Sequence, residues 1–496
     1  LSFLGIIYSV TAICLAVYGF NSLLLTLLYL RHRHEKPSRP PLLDTPPVTV
    51  QLPIYNELCV VERLLEAVTR LSYPHDKLQI QVLDDSDDET TALALARVAY
   101  YRAQGLDIEL VRRAGRDGFK AGALAHGLRT ARGEYIAVFD ADFVPLPDFL
   151  EQTIPYFQDR PRLGLIQTRW GHLNADYSPL TQAQALALDG HFVVEQTARH
   201  RAGLYMNFNG TAGVWRRRCI EEAGGWEGDT LSEDLDLSYR AQLAGWQCLY
   251  LPETVAPAEV PPQIAAFKRQ QFRWAKGSIQ ALRKLGGKVA RAPVPLFKRL
   301  EGLLHLSSYL LHPLMLILLL VTLPLMFQRG GIKLPLAYLS LASFGPPLLF
   351  AVSQRDLYRD WRRRFAYLPL LVFLGTGMAL SNTRAVMEAL LGQDNDFRRT
   401  PKFDVRRRGD NWMDHSYALP FGWITLGEFL LSLYALCAVL VALRHGNVYA
   451  VPFLLIYVLG FAYVAGLDLW QTRSSWSLYR YTSTLVHQFT GTTDRL

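Results

Sequence analysis

The chain of 496 residues carries 52 Lys and Arg against 44 Asp and Glu, a formal net charge of +8, and 50% of it is hydrophobic with only 19% charged. So apolar a composition excludes a wholly water-facing protein, and five scattered cysteines with no CxxC pair argue against a zinc or disulfide framework. The basic residues are bunched beside apolar runs and form no Arg-rich recognition helix, so they read as membrane orientation signals and no nucleic-acid partner is expected.

In chain order, residues 2–30 are nearly uncharged and long enough for a helix to cross the hydrocarbon core. The stretch is too long for a signal-peptide core and lacks a basic segment before it. The cluster Arg31, Arg33, Lys36 and Arg39 follows instead, which places the segment 31–46 and the domain after it in the cytosol. Apolar runs of spanning length return at 302–327, 334–353, 366–391, 418–443 and 450–470. Five arginines between Arg355 and Arg364 mark that connection as cytosolic, so a full span at 366–391 would put the basic stretch Arg398–Arg408 outside. The amphipathic second half, Ser381 to Glu388, fits a re-entrant or interfacial helix better. The expected layout is one span at 1–30, membrane helices over 300–470 with a cytosolic loop at 392–417, and a cytosolic tail at 471–496.

Between them, residues 47–290 should form a cytosolic domain ending in interfacial helices. Up to about residue 255, strand-length apolar runs alternate with helical periods there, the pattern of an α/β domain around a mostly parallel sheet. Val48–Pro53 reads as a strand, Leu58–Arg70 as a helix, and Leu78–Leu83 as a second strand running into Asp84 and Asp85. Glu134–Phe139 is a further strand that runs into Asp140-Ala141-Asp142. Carboxylates at strand carboxyl ends sit where open α/β sheets bind ligands. An Asp-x-Asp there suits Mg²⁺ or Mn²⁺, whose remaining coordination positions take diphosphate oxygens. Alone, such a pair is more often a helix cap or a solvated turn.

Further motifs change that balance. QLPIYNE (Gln51–Glu57), LDDSDD, GFKAGAL, FDADF, LSEDLDLSYRAQLAGW and KRQQFRWAKGS follow one another in the order found in glycosyltransferase family 2. The chain resembles the processive membrane branch of that family, which includes cellulose synthases and plant mannan and glucomannan synthases. The resemblance implies a GT-A α/β nucleotide-sugar-binding domain inserted between transmembrane helices. It also implies donor contacts at Tyr55, Glu57, Asp84, Asp85, Lys120, Asp140, Gln270 and Arg273, with Asp142 as the direct metal ligand and Asp140 beside it. Asp234 is the implied general base, with Glu233 next to it, and Ser232 stands where the family usually has threonine. NFNGTAG and QTRW resemble the mannan-synthase acceptor side, which adds Trp170, Asn209, Gly210 and Thr211 to Trp274 as acceptor contacts. FRRTPK resembles the gating loop of cellulose synthases, with Arg399 in place of valine, and implies donor contacts from Thr400 and Lys402.

The activity implied is inverting transfer of a hexose from a UDP- or GDP-sugar to a growing β-linked glucan, mannan or glucomannan. The alternatives are a glycolipid synthase, which would place one sugar on a lipid acceptor, and a non-catalytic sensor built on the same fold. The intact acidic groups weigh against the last. A multi-pass protein of a bacterial cytoplasmic membrane is expected. Five spans make a narrow channel, so a homo-oligomer or an export partner is also expected.

Overall fold

The computed structural model describes residues 2–35, 37–328, 336–393, 397–413 and 417–490, without side chains at 336–338 and 474–490. Lys36 of the basic cluster, the start of the 334–353 run, parts of the 392–417 loop and the end of the 471–496 tail lie outside the described residues.

A seven-stranded sheet organises the central domain. Its strands are β1 (Val48–Ile54), β2 (Leu78–Asp84), β3 (Ile108–Arg112), β4 (Tyr135–Val138), β5 (Leu163–His172), β6 (Gly213–Arg216) and β7 (Gln247–Ala258). They lie in the order β3-β2-β1-β4-β6-β5-β7. β1 pairs in parallel with both β2 and β4, so the strand order reverses between β1 and β4, and a crevice opens beyond their carboxyl ends. β6 runs antiparallel to β4 and to β5, which makes the sheet mixed. One face packs on residues such as Leu64, Val82 and Phe139, the other on Leu124, Trp215 and Leu237, so both faces are covered. β4 is a continuous apolar run, whereas β1 and β2 alternate with buried Thr49, Gln51, Gln79 and Gln81, which hydrogen-bond one another across the two strands. β3 escaped the sequence reading because only one of its five residues is fully buried.

The helix expected at Leu58–Arg70 runs from Val61 to Thr69. Among the described residues, four helices are long and apolar enough to cross a membrane: Phe3–His32, Ser308–Met326, Ile424–Arg444 and Val448–Arg473. The run 334–353 is, from Leu336, a tight 3-10 stretch to Phe344 followed by a helix Gly345–Leu357. The run 366–391 is broken: Trp361–Gly377 and Ala379–Leu391 meet at a 42° bend. The last helix continues to Thr490.

A 28-residue amphipathic helix, Ile264–Arg291, joins the two parts. Its Lys268 Nζ lies 2.5 Å from Glu428 Oε2 and 3.0 Å from Asp468 Oδ2, carboxylates on two of the apolar helices. Lys276 pairs with Glu388 of the bent segment at 3.2 Å. On its other side Gly277 meets the turn at Ser232, where a Cβ would stand 2.1 Å from Ser232 Oγ. The helix is therefore clamped between the apolar helices and the turn that opens helix Glu233–Leu243.

Candidate active site

The crevice is built from turns that follow strands. After β1, Asn56 adopts φ +54, and its backbone N–H donates to Ser86 Oγ at 2.8 Å in the turn after β2. The four non-glycine residues with positive φ among the described ones are Asn56, Phe119, Ala212 and Asp404, each in or beside this crevice, where such backbone strain tends to collect. Tyr55 is covered by the Arg116 guanidinium, 3.3 Å from its ring centroid. Arg116 was not foreseen, and only its glycine-flanked setting hinted at it. Asp85 is gripped two-pronged by Arg113 at 2.8 and 2.6 Å, and the same guanidinium holds the carbonyls of Asp117 and Phe119, so the loop into helix Phe119–Leu128 is fixed. Gly118, at φ +67, opens that helix, and Lys120 lies in its first turn.

Lys120 is the hub. Its ammonium reaches Asp140 Oδ1, the Gly210 carbonyl at 2.8 Å and Glu233 Oε1 at 3.8 Å. Burial acts to lower its pKa, but Asp140, Glu233 and Asp234 outweigh it and hold the lysine charged. Asp142 is 4% exposed and faces Lys402 Nζ at 2.6 Å. In the same loop Arg399 Nη1 pairs with Glu57 Oε2 at 3.0 Å, and Phe397 stacks on Phe119 with Arg273 5.2 Å from its ring centroid. Burial pushes the Glu57 carboxyl up to about 7, against the pull of Arg399 and Lys402.

On the far side, Asp234 accepts the Leu235 N–H at 2.8 Å and its Oδ2 lies 3.0 Å from where a Gly210 Cβ would be, so a side chain there would crowd the carboxylate, and the φ of +82 also favours glycine. Burial and the neighbouring Glu233 push its pKa up, and Lys120 and Arg273 restrain the shift. Trp170, at the end of β5, packs edge-on to Phe143 and tilted on Phe192. Asn209 is held by Gln196 at 2.6 Å and by His191 at 2.9 Å. His191 sits in a π-helical turn, Gly190–Glu195, a feature often found at functional sites.

Two clefts result. One is lined by Tyr55, Glu57, Asp85, Arg116 and Thr400, the other by Trp170, Asn209, Gly210, Glu233, Asp234, Gln270 and Trp274. Both include Lys120, Asp140, Asp142, Arg273 and Lys402, which form the wall between them. Two expected contacts are not on these walls. Asp84 is 1% exposed and spends its oxygens on the Ser86 N–H and the Thr91 hydroxyl, which closes the turn after β2. Thr211 is fully buried, and its hydroxyl accepts the Asp140 N–H at 2.8 Å, so it supports the Asp-x-Asp turn from below. His172, Glu259 and Phe397, which line the clefts, belong to none of the expected contacts. Glu259, for one, lies past β7 with no motif around it, and it holds the loop by accepting the Phe403 N–H at 3.1 Å.

The donor set fits a divalent ion. Asp140 and Asp142 offer hard carboxylate oxygens: Asp140 accepts from the Lys120 ammonium, while Asp142 Oδ1 is buried, faces Lys402 and accepts no hydrogen bond among the described residues. Two protein carboxylates leave the other positions of Mg²⁺ or Mn²⁺ to water and diphosphate oxygens.

Residues 46–277 match the family model described as "Glycosyltransferase like family 2". The "Probable glucomannan 4-beta-mannosyltransferase 7" of Oryza sativa subsp. japonica is 44% identical over 246 residues, 49% of this chain and 42% of that protein. "Glucomannan 4-beta-mannosyltransferase 2" of Arabidopsis thaliana is 38% identical over 301 residues, 58% of this chain and 56% of that protein. The chain thus spans about half the length of the curated relatives it matches. Among solved structures, the mannosyltransferase PcManGT of Pyrobaculum calidifontis, in complex with GDP-Man and Mn²⁺, is 25% identical with a TM-score of 0.53, covering 78% of this chain and 100% of that one. These relatives are from plants and the solved neighbour from Pyrobaculum, so the comparisons do not support the bacterial membrane expected from the sequence.

Proposed function

We propose that the chain, whose residues 46–277 match the family 2 glycosyltransferase model, is a processive inverting synthase. It takes mannose from GDP-mannose and adds it to a growing β-linked mannan or glucomannan at the membrane. The observation that carries this reading is the pair of clefts divided by Lys120, Asp140, Asp142, Arg273 and Lys402, with the Asp234 carboxylate on the opposite cleft from Tyr55 and Glu57. The names of the plant relatives and the GDP-Man complex of the solved neighbour favour mannose.

In this reading Tyr55, with Arg116 over its ring, seats the nucleobase, and Glu57 and Asp85 line the same donor cleft. Asp142 and Asp140 hold Mg²⁺ or Mn²⁺, which when bound neutralises charge on the departing diphosphate. Lys120, Arg273 and Lys402 add positive charge on the same wall. The acceptor sugar rests on Trp170 and Trp274, near Asn209 and Gly210, and Gln270 lines the cleft beside them. Asp234 takes the proton of the attacking hydroxyl as the new bond forms on the face opposite the diphosphate, a general-base role that its raised pKa suits.

The catalytic domain and the loop at 397–413 lie on the cytosolic side. The contacts of Lys402 with Asp142 and of Arg399 with Glu57 support this, since the loop must share the side of the donor cleft. An interfacial reading of 361–391, which is broken by a 42° bend rather than being one straight span, would keep the loop on that side. A second copy or an export partner would widen the path for the polymer.

The test is purified protein in lipid given GDP-mannose, UDP-glucose and other nucleotide sugars in parallel, with the product sized and digested by a β-mannanase. Turnover of GDP-mannose into a mannanase-sensitive polymer is expected. Turnover of UDP-sugars alone would overturn the mannose assignment, and a single sugar on lipid would overturn the polymer.

A further inference from the structure

A second concave site lies apart from the catalytic clefts. It is a cavity of about 470 Å³ in which Arg363 and Arg364 of the segment before helix Leu368–Gly377 meet Arg406, Arg407 and Arg408 of the loop. Asp176 and Asp360 are the only carboxylates among its lining residues, so five guanidinium groups face two acids. Arg364 is paired with Asp360 at 3.2 Å and Arg406 with Asp404 at 3.1 Å. Arg363, Arg407 and Arg408 enter no ion pair within 4 Å among the described residues; Asp410, which accepts the Arg406 and Arg407 backbone N–H groups at 2.7 and 2.8 Å, offsets part of the charge, and the Arg408 Nε–H donates to the Asp176 carbonyl at 3.1 Å. Like charges brought together from two separate segments repel one another, and that cost is relieved by an anion.

The cavity's place identifies the anion. Tyr367 lines it, and the next residue begins Leu-Pro-Leu-Leu-Val-Phe-Leu, the apolar half of the bent segment. A basic cavity with an aromatic residue at the mouth of an apolar helix is where a lipid phosphate would lie. Its other wall is the loop that carries Thr400 and Lys402 to the donor cleft. That loop folds on its own small core of Phe403, Val405 and Trp412 and is tied to the domain by Arg63 and Asp404.

We propose that this cavity binds the headgroup of an anionic phospholipid from the leaflet facing the catalytic domain, and that the headgroup steadies the 397–413 loop over the donor cleft. The proposal rests on the cytosolic placement of the loop given above, but not on the identity of the sugar.

The test uses the full chain in nanodiscs of phosphatidylcholine with and without phosphatidylglycerol. Lipids that stay bound are read by native mass spectrometry, and hydrogen exchange is read across 397–413. The wild type should retain phosphatidylglycerol over phosphatidylcholine and exchange more slowly when it is present. The exposed pair Arg363→Gln and Arg407→Gln should lose that preference by about tenfold or more. A control pair, Arg70→Gln and Arg218→Gln, removes the same charge from exposed positions outside the cavity and should keep the preference. Equal retention of both lipids, or equal loss in the control pair, overturns the site. Unchanged exchange overturns the steadying of the loop. Pyrophosphate that binds in phosphatidylcholine discs with the same arginine dependence would make this a site for a soluble anion and overturn the lipid assignment. GDP-mannose turnover measured on the same discs separates a failure of the glycosyltransferase reading from a failure of the cavity.

Discussion

Asp234→Asn is the sharpest perturbation of the proposed chemistry. The amide keeps the shape of the side chain and can still accept the Leu235 N–H, but it cannot take a proton from the acceptor hydroxyl. Loss of a general base costs on the order of 10²–10⁴ in rate. Donor affinity should change little, because in the proposed reading the nucleobase is seated by Tyr55 in the other cleft and the diphosphate is met by Lys120 and Asp142 of the dividing wall. Burial first, and Glu233 second, push the Asp234 pKa up, so the base becomes protonated at a higher pH than an ordinary aspartate would. Transfer in the wild type should therefore fall as pH drops through that raised pKa, and remain full above it. Removing the Glu233 charge with Glu233→Gln should move this acid limb to lower pH, whereas Asp234→Asn should lower the plateau itself. Calorimetric nucleotide binding and a product assay on one preparation, repeated across pH, read both effects. Turnover within about tenfold of wild type in Asp234→Asn would place the base elsewhere.

Excess EDTA should abolish transfer, and Mn²⁺ or Mg²⁺ should restore it; activity unchanged in chelator would refute the metal role of Asp140 and Asp142. Gly277→Ala would place a Cβ 2.1 Å from Ser232 Oγ, so the Gln270–Trp274 helix must shift; a stability loss of about 1–3 kcal/mol by thermal unfolding and a fall in transfer are expected. A near-normal Tm with normal turnover would show that the close approach is not required. Cysteine at the exposed Gly409 should react in intact cells with permeant maleimides only, and labelling by an impermeant reagent from outside would reverse the proposed topology.

Much of the site was legible along the chain because its chemistry follows strands. An apolar run that ends in acidic residues carries its own geometry: β4 running into Asp140 and Asp142 puts them at the sheet edge whatever else the chain does. The apolar runs likewise announced the four membrane-length helices among the described residues, since crossing the hydrocarbon core requires length and apolarity and little else, whereas the breaks in 334–353 and 366–391 were not legible in apolarity alone. Other features were decided by contacts between distant segments. Asp84 and Asp85 are neighbours at the end of one strand, yet side chains alternate across a strand, so Asp84 turns into the fold to bind Ser86 and Thr91 while Asp85 meets Arg113 at the cleft of Tyr55 and Glu57. Thr211 sits in a motif with Asn209 and Gly210, but only its place under the Asp140 amide shows that it supports the turn and lines neither cleft. Arg116 over Tyr55, Lys402 against Asp142 and the arginines that meet in the second cavity come from segments far apart in sequence. Local propensity and periodicity describe a segment's own conformation, and which distant charges end up facing one another is fixed only when the sheet and the apolar helices pack.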